Sequence, residues 1–306
     1  MRRYHIEHRT TYRYSEPVRF GLHRLVLRPR EGHEVNVVKH NLTVFPKADF
    51  FWMTDLFGNN VALAEIADPA DRLEIVNNVI IDRVMGLEDL APRRGARTSV
   101  VPLPVVYPQM ELGVVQGYIA PVYEDDVAAV HQWTAAQAAD LDQPALDMVA
   151  HLNRRVHEHI TYLRREERGV QSPARTLVLG TGSCRDMATL LMEACRSLGV
   201  AARFVSGYLD APAAAAGRGA THAWVEVYLP DSGWCGFDPT LGATVSRKHV
   251  ALGVSPHPRG VMPVSGIYDG PPGCYLGLEV AISIRQIAED DSTLVAVAGA
   301  ASSLGV

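Results

Sequence analysis

The sequence predicts an α+β protein. An amino-terminal β-sandwich-like domain is expected over residues 1–125, followed over residues 126–306 by a core in which a helix opening on Cys184 packs on an antiparallel sheet. Three observations predict this. Apolar and polar residues alternate with period two through the first third, the mark of half-buried strands. Residues 187, 190, 191, 194, 195 and 198 form the i, i+3, i+4 apolar stripe of a buried helix face. Residues 221–238 read as strand, turn and return strand. At about 150 residues per domain, 306 residues suggest two domains, enough to bury a core without disulfide or metal staples.

The elements follow in chain order. Over residues 3–14, Tyr4, Ile6, Tyr12 and Tyr14 fall on one face and Arg3, Glu7, Arg9 and Arg13 on the other. Further strands are expected at 22–27, 34–44, 50–52, 61–66 and 73–81, with Gly58-Asn59-Asn60 as a turn between two of them. Short strands separated by turns suggest a sandwich rather than βαβ units. The first 30 residues carry eight Arg against two Glu. This is either an anion-binding face or, more simply, the solvated side of edge strands, where charge discourages aggregation. Pro92, Pro102, Pro104, Pro108 and Pro121 mark an irregular connection. Helical patterning starts near residue 128 and returns over 146–160, after Pro144. Residues 211–219, rich in alanine and glycine, read as a mobile loop, and residues 288–306 are small and weakly patterned.

Composition excludes several classes. Hydrophobic residues at 47% and charged residues at 21% describe an ordinary globular protein. A net charge of −5, from 29 Lys and Arg against 34 Asp and Glu, argues against nucleic acid as a partner. No apolar run approaches about 18 residues, so no membrane span is expected. Met1-Arg2-Arg3-Tyr4-His5 runs into polar residues without an apolar signal region, and a cytoplasmic location is expected. The cysteines, at 184, 195, 235 and 274, form no C-x-x-C pair and are expected to be free thiols in a reducing compartment. His151, His157 and His159 match no zinc spacing and read as a solvated helix face. Neither a D-x-D-x-D-G run nor a G-x-x-x-x-G-K-[ST] run is present, so neither calcium binding nor nucleotide hydrolysis is supported. No metal or cofactor is expected.

The chemistry gathers around Cys184. Gly180 and Gly182 break the preceding element, Ser183 is a plausible N-cap, and Asp186 stands where a capping-box acid would. Cys184 then sits in the first helical turn, where the dipole and unpaired N–H groups favour a thiolate. Its own backbone N–H is placed to donate to an oxyanion. Cys195, deep on the apolar stripe, reads as a packed residue, as do Cys235 and Cys274. On the first strand of the hairpin, His222, Trp224, Glu226 and Tyr228 point one way and Val225, Val227 and Leu229 the other. Asp238 lies across the turn at Pro230-Asp231-Ser232-Gly233. The two strands bring Asp238 level with or diagonal to His222 if their pairing centres near 230–231. Asp238 would then hold the imidazole while His222 works on the thiol, a nucleophile, base and orienter arrangement. Gln171 is a candidate second oxyanion donor, weighed against a surface glutamine. Trp224 and Trp234 are weighed as walls of a substrate groove against ordinary core packing.

Three blocks carry a resemblance: Gly182-Ser183-Cys184-Arg185-Asp186, then His222-Ala223-Trp224-Val225-Glu226-Val227-Tyr228, then Gly233-Trp234-Cys235-Gly236-Phe237-Asp238-Pro239-Thr240. They resemble the motif blocks of the transglutaminase-like superfamily, which implies a papain-like core with Cys, His and Asp in this chain order. Tyr12-Arg13-Tyr14 and Asp55-Leu56-Phe57-Gly58-Asn59 resemble the β-rich domain that precedes the core in bacterial members. The resemblance implies Cys184 as nucleophile, His222 as general base and then acid, and Asp238 as the orienting residue. The segment from His249 to Gly266 departs from the more acidic, tyrosine-bearing stretch expected of relatives and is expected to alter the substrate pocket.

Two functions compete. In the first, Cys184 attacks a carboxamide or peptide carbonyl, and water or an amine resolves the thioester. The partner is then a peptide or protein, with an amine acceptor in the transfer case, and the reading leans to hydrolysis. In the second, the chain is a non-catalytic interaction protein that keeps the fold, whose expected sign would be loss of one of the three residues. All three are present.

Overall fold

The computed structural model describes residues 2–83, 99–138, 142–165, 169–210 and 221–288. The loop expected at 211–219, the weakly patterned end beyond Ala288, and Pro92 lie outside these residues. Each of the six period-two runs forms a strand: β1 (Arg2–Phe20), β2 (His23–Leu25), β3 (Val35–Phe45), β4 (Ala48–Thr54), β5 (Asn60–Ile66) and β6 (Ala70–Arg83). The middle of the chain supplies α1 (Leu112–Ile119), α2 (Val127–Ala138), α3 (Ala145–His159), β7 (Thr161–Tyr162), α4 (Pro173–Leu179), β8 (Thr181–Gly182) and α5 (Cys184–Ser197). Then come β9 (Ala201–Leu209), β10 (His222–Leu229), β11 (Gly233–Asp238), β12 (Ala243–Thr244) and β13 (His249–Ser255). The last described strands are β14 (Val264–Ser265), β15 (Tyr268–Asp269) and β16 (Tyr275–Ile287). Among the described residues no helix is long and apolar enough to cross a membrane.

The α+β core is the antiparallel sheet β12–β11–β10–β9–β13 with α5 laid across it. Met187, Leu190, Leu191, Ala194 and Cys195 are buried on the stripe the sequence predicts, against Val225, Val227, Leu229 and Phe237. Each large side chain so buried contributes about 1.5–3 kcal/mol of transfer free energy, which anchors the first turn of α5. The connection expected to be irregular is partly helical: α1 forms between Pro108 and Pro121 because Val115 packs with Tyr107 and Ala201.

The β-sandwich has two antiparallel sheets. One runs β3–β6–β1 with β15 and β16 both paired to β1, and the other runs β4–β5–β2–β14. Here the sequence reading needs correction. The chain beyond residue 125 was expected to form the core alone, yet β14, β15 and β16 complete both sheets of the sandwich. Twelve residues of β1, Arg3 to Tyr14, pair with β16. In consequence β1 is an interior strand, not an edge. Two of its arginines are paired locally, Arg3 with Asp82 at 2.7 Å and Arg9 with Glu74 at 2.6 Å. Farther along, Arg24 pairs with Asp55 at 2.9 Å.

The Asp55-Leu56-Phe57-Gly58-Asn59 turn fastens the sandwich to the core. Asp55 Oδ1 accepts the backbone N–H groups of Phe57 and Asn59 at 3.0 and 2.9 Å. That turns the fully buried Asn59 amide onto β13, where Nδ2 donates to the Val254 carbonyl and Oδ1 accepts the Val254 N–H, both at 2.8 Å. A side chain here completes a strand edge as a backbone would. Arg83 at the end of β6 donates to the carbonyl of His249 at 2.6 Å.

Candidate active site

Cys184 owes its position to what precedes it. Helix α4 ends at Gly180, which takes the left-handed backbone at φ 62° that a side chain would resist. The chain then pairs briefly in parallel with β7, Thr161 beside Thr181 and Tyr162 beside Gly182. At the start of α5 Asp186 reaches back, its Oδ2 accepting the N–H and the hydroxyl of Ser183, both at 2.8 Å. Asp186 is fully buried and does more than cap. It also accepts from the Arg165 guanidinium at 2.8 and 2.9 Å and from the Gln171 N–H at 2.7 Å. The Gln171 side chain donates to Thr176 Oγ1 and the Thr181 carbonyl, at 3.1 and 2.9 Å. Gln171 is therefore a buried brace for the turn before Cys184. The expectation of an oxyanion donor and that of a surface glutamine both give way to this.

His222 and Asp238 come from the hairpin of β10 and β11. Val227 pairs with Cys235 and Val225 with Phe237, so the pairing centres on residue 231 and sets Asp238 diagonal to His222. His222 Nε2 lies 2.7 Å from Asp238 Oδ2, and both side chains are buried. The other ring nitrogen, Nδ1, is buried and has no hydrogen-bond partner among the described residues, and Cys184 is near enough for its charge to act on this ring. Burial alone would lower the His222 pKa. The hydrogen bond to Asp238, the neighbouring Cys184 and the charges of both groups outweigh it and hold the pKa up at about 10. Burial also disfavours the Asp238 carboxylate. The hydrogen bonds from His222 and His249, and the charges of those rings, overcome that and keep the carboxyl well below its ordinary range.

His249 is the residue that sequence reasoning missed. It opens β13, is buried, and its Nε2 lies 3.0 Å from the same Asp238 Oδ2. Its Nε2 donates to the carboxylate, while its Nδ1 lies 3.1 Å from the Ser246 nitrogen and 3.3 Å from the Ser246 carbonyl oxygen. The second oxygen of Asp238 accepts the N–H groups of Thr240 at 2.9 Å and Leu241 at 3.3 Å. Four donors thus converge on one carboxylate. The ligand-type atoms of His222, Asp238 and His249 lie within 4.8 Å of one another, as a metal site would require. Their 2.7 and 3.0 Å separations are those of shared protons, and the lone pairs a metal would use are occupied.

Trp224 lies behind these rings, 5.1 Å from His249 and 6.3 Å from His222 between centroids. Gly207, paired with His222, makes room for it: a Cβ there would meet the Val250 carbonyl oxygen at 2.3 Å and the indole at 2.4 Å. Trp224 is core, and Trp234 stacks under the Arg203 guanidinium at 3.8 Å. Neither lines the cleft. His157 and His159 are exposed on α3, the solvated face expected of them. The thiol of Cys195 is pushed up to about 12 by complete burial, and Cys235 and Cys274 are likewise free thiols away from these rings.

A cleft of about 760 Å³ opens at Cys184. One wall is the start of α5 with Tyr162, and the other comes from the sandwich, through Tyr12 of β1 and Leu276, Leu278 and Val280 of β16. A cavity of about 150 Å³ adjoins it at His222, bounded in part by Pro258, Val261 and Met262. The His249–Gly266 segment thus borders the space beside the candidate base.

Residues 4–82 match the model of the bacterial transglutaminase-like N-terminal region, and residues 130–239 match that of the transglutaminase-like superfamily. An uncharacterized protein of Mycobacterium tuberculosis is 29% identical over 281 residues, 87% of each chain. One from Mycobacterium leprae is 26% identical over 294 residues, 94% of this chain and 100% of its own. Among solved structures, a candidate cysteine protease from Cytophaga hutchinsonii superposes with a TM-score of 0.71 over 94% of this chain and 92% of its own. Its sequence identity is 16%, so the likeness is one of fold.

Proposed function

The chain belongs to the transglutaminase-like superfamily, a family of papain-like thiol enzymes, and from that premise we propose that it cleaves amide or peptide bonds through a thioester on Cys184. The observation that carries the reading is a buried His222–Asp238 pair at 2.7 Å beside Cys184, where the cleft at Cys184 adjoins the cavity at His222. The Cys184 sulfur, its proton given up to His222, attacks the carbonyl carbon. The oxygen takes up the negative charge against the N–H groups that open α5, the Cys184 N–H first among them. His222, an imidazolium at neutral pH with its pKa at about 10, then protonates the departing nitrogen as the C–N bond breaks. Water attacks the thioester, His222 takes its proton, and the acid leaves as sulfur is released. Asp238 keeps the ring turned so that Nδ1 faces the sulfur throughout.

We take water rather than an amine as the acceptor, a choice supported by a cleft whose rim residues Ile267 and Leu276 are exposed to solvent. The test is to incubate the protein with mixed peptides and small amines and follow Cys184 by intact mass spectrometry. A transient acyl adduct absent from Cys184→Ala is expected, with hydrolysed peptide as product. An amide product would make the protein a transglutaminase. No adduct, together with a thiol that alkylates no faster than in the unfolded chain, would refute the reading and favour an interaction protein.

A further inference from the structure

The charged side chains among the described residues that line the cleft are of one sign. Among its described lining residues are three guanidiniums, Arg164, Arg165 and Arg185, and no carboxylate, in a chain whose net charge is −5. Arg165 is already neutralised by Asp186 at 2.8 Å. Arg164 and Arg185 are not: among the described residues neither forms an ion pair with a carboxylate. Both cations, Tyr162 and the candidate nucleophile line the same cleft. Arg185 follows the nucleophile in the chain and lines both the cleft and the cavity beside His222. The described lining of that cavity also contains no carboxylate.

An unpaired guanidinium on a partly buried wall is a bidentate receptor for a carboxylate. We propose that the acyl donor taken at Cys184 is anionic, with a carboxylate a few bonds from the scissile carbonyl gripped by Arg185 and drawn in by Arg164. This names the substrate class of the site described above and rests on that functional reading. The carboxylate is either a free peptide terminus or an Asp or Glu side chain.

The test needs no known substrate. Iodoacetate and iodoacetamide alkylate the same sulfur, differ in a carboxylate against an amide, and are nearly the same size. Their rates at Cys184 are measured in the full chain and in Arg164→Gln, Arg185→Gln and the double variant, with thermal midpoints recorded alongside. The His222 imidazolium is common to all four proteins, so a change in the rate ratio reports the arginines. The ratio of iodoacetate to iodoacetamide is expected to fall about tenfold in the double variant, the low end of what a cleft of one sign does to association. The difference should shrink as salt is raised. Arg164 is exposed, so its single variant keeps the test valid should Arg185→Gln lose its fold. Brisk labelling with an unchanged ratio would overturn the anionic substrate and leave the thioester reading standing. No labelling by either reagent would overturn that reading, and the inference with it. The peptides Ala-Gln-Ala-Glu and Ala-Gln-Ala-Gln, each as acid and as amide, are then compared for binding to Cys184→Ala. Tighter binding that follows the side chain or the terminus names the source of the carboxylate, and no preference for either overturns the proposal.

Discussion

Asp238→Asn tests the site most directly, because the geometry says what an amide cannot do there. Asparagine keeps one oxygen, which can still accept from Thr240 and Leu241. Its NH2 group then faces two ring nitrogens that both donate in the wild type. His249 can relieve its contact only by moving its proton to Nδ1, which gives up the Ser246 N–H at 3.1 Å for the longer contact to the Ser246 carbonyl at 3.3 Å. A buried donor–donor contact left in place costs about 1–3 kcal/mol. His222, an imidazolium with both ring nitrogens protonated, can relieve its own contact only by giving up the Nε2 proton, and with it the positive charge beside the sulfur. Asp238 is one of the two groups that hold the His222 charge against burial. Loss of a charge-assisted hydrogen bond of about 1.5–3 kcal/mol slows the sulfur's reaction by roughly ten- to a hundredfold.

The same substitution changes how stability depends on pH. A histidine whose folded pKa is raised contributes stability that is complete below its unfolded pKa, near 6.5, and lost as the pH climbs through about 10. A carboxyl held low contributes stability that is complete above its ordinary value, near 3.8, and lost as the pH falls. The wild type should therefore hold a stability plateau between about pH 4 and 6.5 and lose stability from there to about pH 10, a slope that flattens in Asp238→Asn. The assays are iodoacetamide labelling of Cys184 against pH, and thermal midpoints from pH 4 to 10. Equal labelling rates with an unaltered stability plateau would remove Asp238 from the mechanism.

Two further outcomes follow from neighbouring residues. His249→Leu takes one donor from Asp238 and concentrates the carboxylate's charge on His222, so His222 should lose its proton at a higher pH than about 10. His249→Gln, which keeps a donor near the Nε2 position, should restore the wild-type value, and nitrogen NMR of the imidazoles reads both. An unshifted His222 in a folded His249→Leu protein would make His249 mere packing. Cys195→Ala, at a fully buried position, should cost about 1 kcal/mol of stability and leave the labelling of Cys184 unchanged, as denaturation and alkylation together would show.

The sequence discloses what is local and patterned. The stripe of α5, its capping by Ser183 and Asp186, and the centre of the β10–β11 hairpin all follow from spacings within about 20 residues, and the structure keeps each. What escaped depends on partners far away in the chain. The alternation of Leu276, Leu278, Val280, Ile282 and Ile284 does announce a strand, but nothing local says that it pairs with β1, more than 260 residues earlier. Because that partner went unseen, β1 looked like an edge and its arginines like a free face. His249 was overlooked for the same reason: one histidine at the head of a strand has no periodicity, and its meaning comes only from Asp238. Gln171 was visible but misjudged, since its three partners lie in the folded turn around α4 and α5.

This division has a chemical consequence. The reacting groups come from one continuous stretch, residues 184–249, while the surfaces that choose a substrate come from both ends of the described chain. Tyr12 belongs to β1, and Leu278 and Val280 to β16, yet they stand across the cleft from Cys184. The sandwich also holds the core in register: Asn59 grips Val254, and Arg83 grips the carbonyl of the same His249 whose ring supports Asp238. A shift between sandwich and core would therefore do two things at once. It would reshape the wall that meets the substrate, and it would pull on the strand that supplies the second imidazole to Asp238. On the proposed function, a substitution in the Asp55–Asn59 turn is therefore expected to change the alkylation rate of Cys184 through β13 without touching it, and an unchanged rate in a folded Asn59→Ala protein would refute that link.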